Sequence, residues 1–176
     1  SRHLKVCILR KLNRIAEAEK LIAESLVLDR FNFGVLFEKS LLTSDSKSPL
    51  GDLGVSQPSI HTYIEFALDY AFVGMYQEAI ELIFLGIEEQ KDQPGYPMTW
   101  YYKAWFEMLS GNKTASEKSL VEASNACPDF CFPNQIEAVV VLEWAKQQSP
   151  ADSKAPYYLG NFWYNARQYD DAVANW

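Results

Sequence analysis

The sequence predicts an all-α fold made of stacked antiparallel helix hairpins, and two observations carry that prediction. A four-residue pattern recurs along the chain: Val6, Asn13, Ala18, Ile22; Ala67, Gly74, Ala79, Ile83; Ala104, Gly111, Ser116, Leu120; and Gly160, Arg167, Ala172, Trp176. The steps are the same in every copy, about two helical turns, then a turn, then one helical turn. The composition agrees with this, because 176 residues with 48% hydrophobic content can bury a substantial core as one domain, 1–176.

Each position in the pattern has a physical role. Helices cross closely only where side chains are small, which accounts for the first and third places. Asn13, Gly74 and Gly111 fall where the first helix must stop, and Gly or Asn takes the left-handed conformation that ends a helix. Tyr76 and Tyr169 follow two residues later and can wedge a ring between hairpins while the hydroxyl stays wet. The large fourth residue returns to the same face as the third, one turn on.

Taken in order, a first hairpin is expected over about 3–30, and Phe33 to Leu42 reads as the first helix of another whose partner is not recognisable. The Ser, Pro and Gly of 43–59 predict an irregular loop. Hairpins follow at 60–91 and 97–128, with Asp92 to Tyr96 as a loop. Asn134 to Gln148 reads as a second helix without its first, since Phe130 to Pro133 stands where a whole helix would be. The last hairpin, 153–176, is incomplete. It stops after about two turns and leaves Trp176 uncovered, which forgoes about 2 kcal/mol of burial. With no initiator Met either, a longer natural chain that continues beyond Trp176 is expected.

The pattern resembles the tetratricopeptide repeat (TPR). Residues Ile60 to Lys91 supply Tyr63, Phe66, Ala67, Tyr70, Gly74, Tyr76, Ala79, Ile83 and Gly86, and Pro97 to Pro128 supply Trp100, Ala104, Gly111, Ser116, Leu120, Ala123 and Pro128. Two residues depart from the family: Glu107 replaces an aromatic and Lys113 a large apolar residue. The resemblance implies an α-α superhelix, that is, a solenoid of hairpins. A second likeness lies in Cys131-Phe132-Pro133-Asn134 together with Ala155-Pro156-Tyr157-Tyr158-Leu159-Gly160-Asn161. This pairing is similar to the C-terminal TPR region of large bacterial proteins that carry an N-terminal, mutarotase-like domain of unknown function. That likeness implies no catalytic residue here.

In TPR arrays the first helices line a concave groove, so the resemblance implies a ligand-binding set: His61, Leu68 and Phe72; Tyr101, Trp105 and Met108; and Lys154, Tyr157, Asn161, Tyr164 and Asn165. Rings could stack on an extended peptide while the two amides bond its backbone. The expected role is a non-enzymatic scaffold that binds a protein, a peptide or a missing domain of the same chain. The alternative is an accessory module of a carbohydrate-active protein, with Trp105, Tyr101, Tyr157 and Tyr164 as platforms for sugar rings. Aromatics at helical spacing also serve as core.

Other classes find little support. Sixteen basic and 23 acidic residues give a net charge of −7, which repels phosphate backbones, so no nucleic acid partner is expected. No apolar run approaches membrane-spanning length, so no membrane partner is expected either. The pairs Glu17 and Glu19, Glu88 and Glu89, and Asp170 and Asp171 read as solvated helix faces. Glu65 and Asp69, one turn apart, lack a partner His or metal-binding set. Cys127 and Cys131 are spaced for a disulfide or for packing as small thiols, and Cys7 is expected in the core. A zinc site would need two more ligands and His3 and His61 are remote in sequence from these cysteines, so neither a metal nor a cofactor is expected.

Overall fold

The computed structural model describes residues 1–43, 58–89 and 95–176. Among these the chain is all-helical, with ten α-helices and no strand. It divides into two compact units, Ser1–Ser59 and Ile60–Trp176. The predicted loop at 43–59 and the one at Asp92 to Tyr96 lie, apart from their ends, outside the described residues.

The first unit holds α1 (Arg2–Lys11), α2 (Ile15–Leu28) and α3 (Phe33–Thr43). Val6, Leu9, Ala18, Ile22 and Val35 form its core, with Leu21, Leu26 and Leu42 packed against it. Arg2 near the start of α1 reaches Ser25 near the end of α2 (3.4 Å), so the two helices run antiparallel. Arg10 binds the buried Glu38 carboxylate at 2.9 Å and ties α1 to α3. A buried carboxylate is tolerable only with such a partner. Asn32 Oδ1 accepts the Val35 N–H (3.2 Å) and caps the start of α3.

The second unit holds α4 (Ile60–Phe72), α5 (Tyr76–Glu89), α6 (Met98–Leu109), α7 (Lys113–Asn125), α8 (Ile136–Gln148), α9 (Lys154–Asn165) and α10 (Tyr169–Asn175). Helices pair as α4 with α5, α6 with α7 and α9 with α10; α5 also packs on α6, and α8 on both α6 and α9. In the α4–α5 pair, Gly86 sits against Ile60 and the Tyr63 ring, where an added Cβ would come within 2.8 Å of that ring. Tyr63 donates its hydroxyl to Glu89, so the start of α4 and the end of α5 are joined.

The four copies of the sequence pattern turn in the same way. Asn13, Gly74, Gly111 and Arg167 all have left-handed backbones, with φ of 56°, 77°, 87° and 60°. The next N–H in each copy (Arg14, Met75, Asn112, Gln168) donates back over the turn to Leu9, Tyr70, Glu107 or Trp163, at 2.9 Å every time. These bonds satisfy carbonyls that a helix end otherwise leaves orphaned. The small residues flanking the turns, Val6, Ala18, Ala67, Ala79, Ala104, Ser116 and Ala172, are all fully buried. They leave room for the helices to cross.

Two positions of the second unit stand out in their packing. Glu107 is buried between Lys103 and Ser119 and accepts from both, so a polar network joins α6 to α7 here. Trp176, the fourth residue of the last copy, is 58% exposed, whereas Ile22, Ile83 and Leu120 are buried.

Candidate functional site

A concavity of the second unit forms where α7 ends and α9 begins. After Asn125 the chain becomes extended at Ala126. Phe130 takes a left-handed backbone at φ 60°. A bulky residue in that conformation is uncommon. Phe130 is 87% and Phe132 67% exposed, while Cys131 between them is buried.

Asp152 fixes the other wall. It is buried, and its Oδ1 accepts the Lys154 N–H at 2.9 Å, capping the start of α9. Its Oδ2 accepts the Tyr101 hydroxyl of α6 at 2.6 Å. The Tyr101 and Tyr158 rings meet edge to face, 6.1 Å between centroids. The Cys131 thiol lies beside the Met98 backbone and the Tyr158 hydroxyl, and burial pushes its pKa up to about 12. Burial also raises the Tyr101 and Tyr158 pKa values. These groups are therefore neutral near pH 7, and the thiol is no ready nucleophile. Lys154 closes the frame by donating from Nζ to the Ala126 carbonyl.

The result is a cleft of about 570 Å³ lined by Pro128, Asp129, Phe130, Cys131, Phe132, Ser153, Lys154 and Tyr157. Its accessible chemistry consists of aromatic rings with one ammonium (Lys154), one carboxylate (Asp129) and two hydroxyls (Ser153 and Tyr157). Such a surface can bind by stacking and hydrogen bonding, and its reactive thiol position is masked.

The eleven sequence-predicted groove residues are scattered in their exposure. Lys154 and Tyr157 line the cleft. Asn161 is half-buried, and Tyr164 and Asn165 are exposed further along α9. Tyr164 packs on Tyr169 (5.4 Å) and Trp176 (5.7 Å). His61 and Phe72 on α4 are exposed, and Trp105 and Met108 on α6 are half-buried. Leu68 and Tyr101 correct the expectation, since both are buried and offer no ligand surface. Leu68 shares its helix face with the buried Ile64 and Ala71, and Tyr101 lies three residues before the inward-facing Ala104.

Phe130 and Phe132 line the cleft and Asp152 braces it, although the sequence did not mark any of the three as a binding residue. An Asp just before a Pro-containing helix start is a capping signal that could have marked Asp152. No residue type announces the left-handed Phe130. The three cysteines are free thiols, Cys127 exposed and the others buried. Glu65 and Asp69 are both exposed. Among the described residues, no group of three or more His, Cys, Asp and Glu could hold a metal ion, and no helix is long and apolar enough to cross a membrane.

No family model, curated protein or solved structure matches the chain.

Proposed function

We propose that the chain is a non-catalytic binding scaffold of the TPR kind, its hairpins stacked as a solenoid, which engages an extended segment of a partner protein or of its own parent chain. The cleft beside α9 carries this reading. Three exposed rings, Phe130, Phe132 and Tyr157, surround about 570 Å³ of open space with Lys154 at its edge. Exposed aromatics around a concavity are the usual anchors of a binding surface. Tyr157, Asn161 and Tyr164 continue from the cleft at helical spacing, so a peptide could run along α9 with its backbone on the amide. The TPR assignment draws its support from the four turns with equivalent backbone bonds and buried small residues.

The same rings beside Asp129 and Ser153 also suit a sugar, which makes the glycan module the second reading. One experiment separates the two. The folded chain is panned against a displayed random-peptide library and, in parallel, applied to a carbohydrate array. Peptide binding that weakens at least tenfold in Tyr157→Ala and Phe132→Ala supports the scaffold reading. Sugar binding alone, lost in the same variants, replaces it with the glycan reading. Binding of neither, or binding indifferent to both substitutions, rejects the cleft.

A further inference from the structure

The polar groups that the cleft leaves open are mostly donors. Ser153, just before α9, makes no side-chain cap bond, because Asp152 has taken the Lys154 N–H. Among the described residues neither the Ser153 nor the Tyr157 hydroxyl has a hydrogen-bond partner. The Lys154 ammonium gives one of its N–H groups to Ala126 and keeps the others. Asp129 is the pure acceptor of the cleft, and among the described residues no cation pairs with it. The exposed rings of Phe130, Phe132 and Tyr157 stand apart from one another, Tyr157 meeting only Tyr158 behind it. Their faces are left to a ligand.

The modes by which a protein segment binds fit these groups unequally. Adding a strand needs a sheet edge, and the described residues contain no strand. A helix arrives with its backbone groups already paired and would leave the hydroxyls and the ammonium unanswered. A proline-rich segment is different. Its backbone offers carbonyls and few N–H groups, it is extended before it binds, and its rings lie well on aromatic faces. We infer that the partner segment is proline-rich and carries a basic side chain: its rings lie on Phe130, Phe132 and Tyr157, its carbonyls accept from Ser153, Tyr157 and Lys154, and its cation pairs with Asp129. Such an occupant presupposes the peptide-binding role proposed for the cleft. The surrounding charge favours it, since residues 60–176 carry seven basic and sixteen acidic side chains.

Fluorescence anisotropy with dye-tagged synthetic peptides tests this on the folded chain. The probe is a run of about nine prolines, roughly three turns of the left-handed helix, with an arginine at each end. One control has alanine in place of every proline, and a second has glutamate in place of both arginines. The probe should bind saturably, at least tenfold tighter than the alanine control and at least threefold tighter than the glutamate control. Tyr157→Phe removes a donor and keeps the ring, and should weaken the probe about fivefold with helical content unchanged. Asp129→Asn should narrow the gap between the arginine and glutamate peptides. A probe that fails to bind, that binds no tighter than its alanine control, or that is indifferent to both substitutions overturns the inference. The scaffold reading is judged apart from it: proline-free peptides selected by the same cleft from the random library keep that reading, and selection of none rejects it.

Discussion

The α6–α7 and α9–α10 hairpins turn at equivalent residues and end at very different depths. Both reverse through a left-handed residue, Gly111 or Arg167, with the same 2.9 Å bond back across the turn. Both bury the small residue that follows, Ser116 or Ala172. In α6–α7 that small residue does more, because Ser116 donates to the Ala104 carbonyl at 2.8 Å, and Ser119 reaches the Glu107 carboxylate at 2.6 Å. In α9–α10 the equivalent contact is a Trp176 indole resting on Gly160, with a long 3.3 Å bond from Nε1 to the Tyr157 carbonyl. The turn geometry is thus local, whereas the depth of packing depends on which neighbours cover the pair. Helix α6 has α5 and α8 against it, and α10 packs on α9 alone among the helices with extensive contact.

The largest expected effect follows from the polar network of the covered hairpin. Lys103 bonds both Glu107 and Ser119 (3.0 Å to the latter), and Glu107 is 5% exposed. Lys103→Met leaves that carboxylate buried without its cation and should lower stability by about 3 kcal/mol in urea titration. The double variant Lys103→Met/Glu107→Leu removes both charges and should recover to within about 1 kcal/mol of the parent. The polar tie of the open hairpin is Lys146 Nζ to Asn175 Oδ1 (2.9 Å), a half-exposed contact. Its loss in Lys146→Met should cost less than about 1 kcal/mol. Equal losses from the two Lys→Met substitutions would remove the distinction.

The helix turns were legible in the sequence because their cause is local. A helix that must reverse over two or three residues needs a left-handed position and small neighbours, and Asn13, Gly74 and Gly111 declare both through residue type. Arg167 shares the conformation only by register with the other three, and repetition revealed what its side chain conceals. The burial of Tyr101 was not legible. The periodicity that marks one face of α6 does not say whether Asp152, fifty-one residues later, will arrive there to take the hydroxyl. Nor was the cleft, which depends on a positive φ at Phe130 that nothing in its side chain favours. Phe130 to Pro133 could be read as non-helical, since Pro133 and the missing period exclude a helix. The shape that the segment takes instead comes from Cys131 being drawn into the interior while the flanking rings stay out.

The turn residues give an effect of intermediate size and opposite sign in the two hairpins. Gly111→Ala places a Cβ on a backbone at φ 87° and should destabilise by about 1 kcal/mol. Arg167→Gly relieves the same kind of strain at φ 60° and should stabilise by up to about 1 kcal/mol, less what the freer unfolded chain takes back. Thermal or urea unfolding of the two variants would show the signs directly. If both substitutions destabilise, Arg167 contributes a contact that outweighs its backbone strain.

The smallest net effect should come from Gly160→Ala, and there the absence of a stability change is informative. The new Cβ would stand 2.0 Å from the Trp176 Nε1, so the indole must leave. Because Trp176 ends the described helix pair and is already 58% exposed, the ring can swing into solvent without moving backbone. Losing its remaining burial costs about 1 kcal/mol, and replacing Gly by Ala inside α9 returns about as much in helix propensity. Stability should therefore stay within about 0.5 kcal/mol of the parent, while the Trp176 indole N–H resonance moves to a solvent-like position as its bond to Tyr157 breaks. A loss above about 2 kcal/mol would mean that the indole is a true packing element, as deep in function as Leu120 in the covered hairpin. The two hairpins would then differ in exposure only, with their energetics alike.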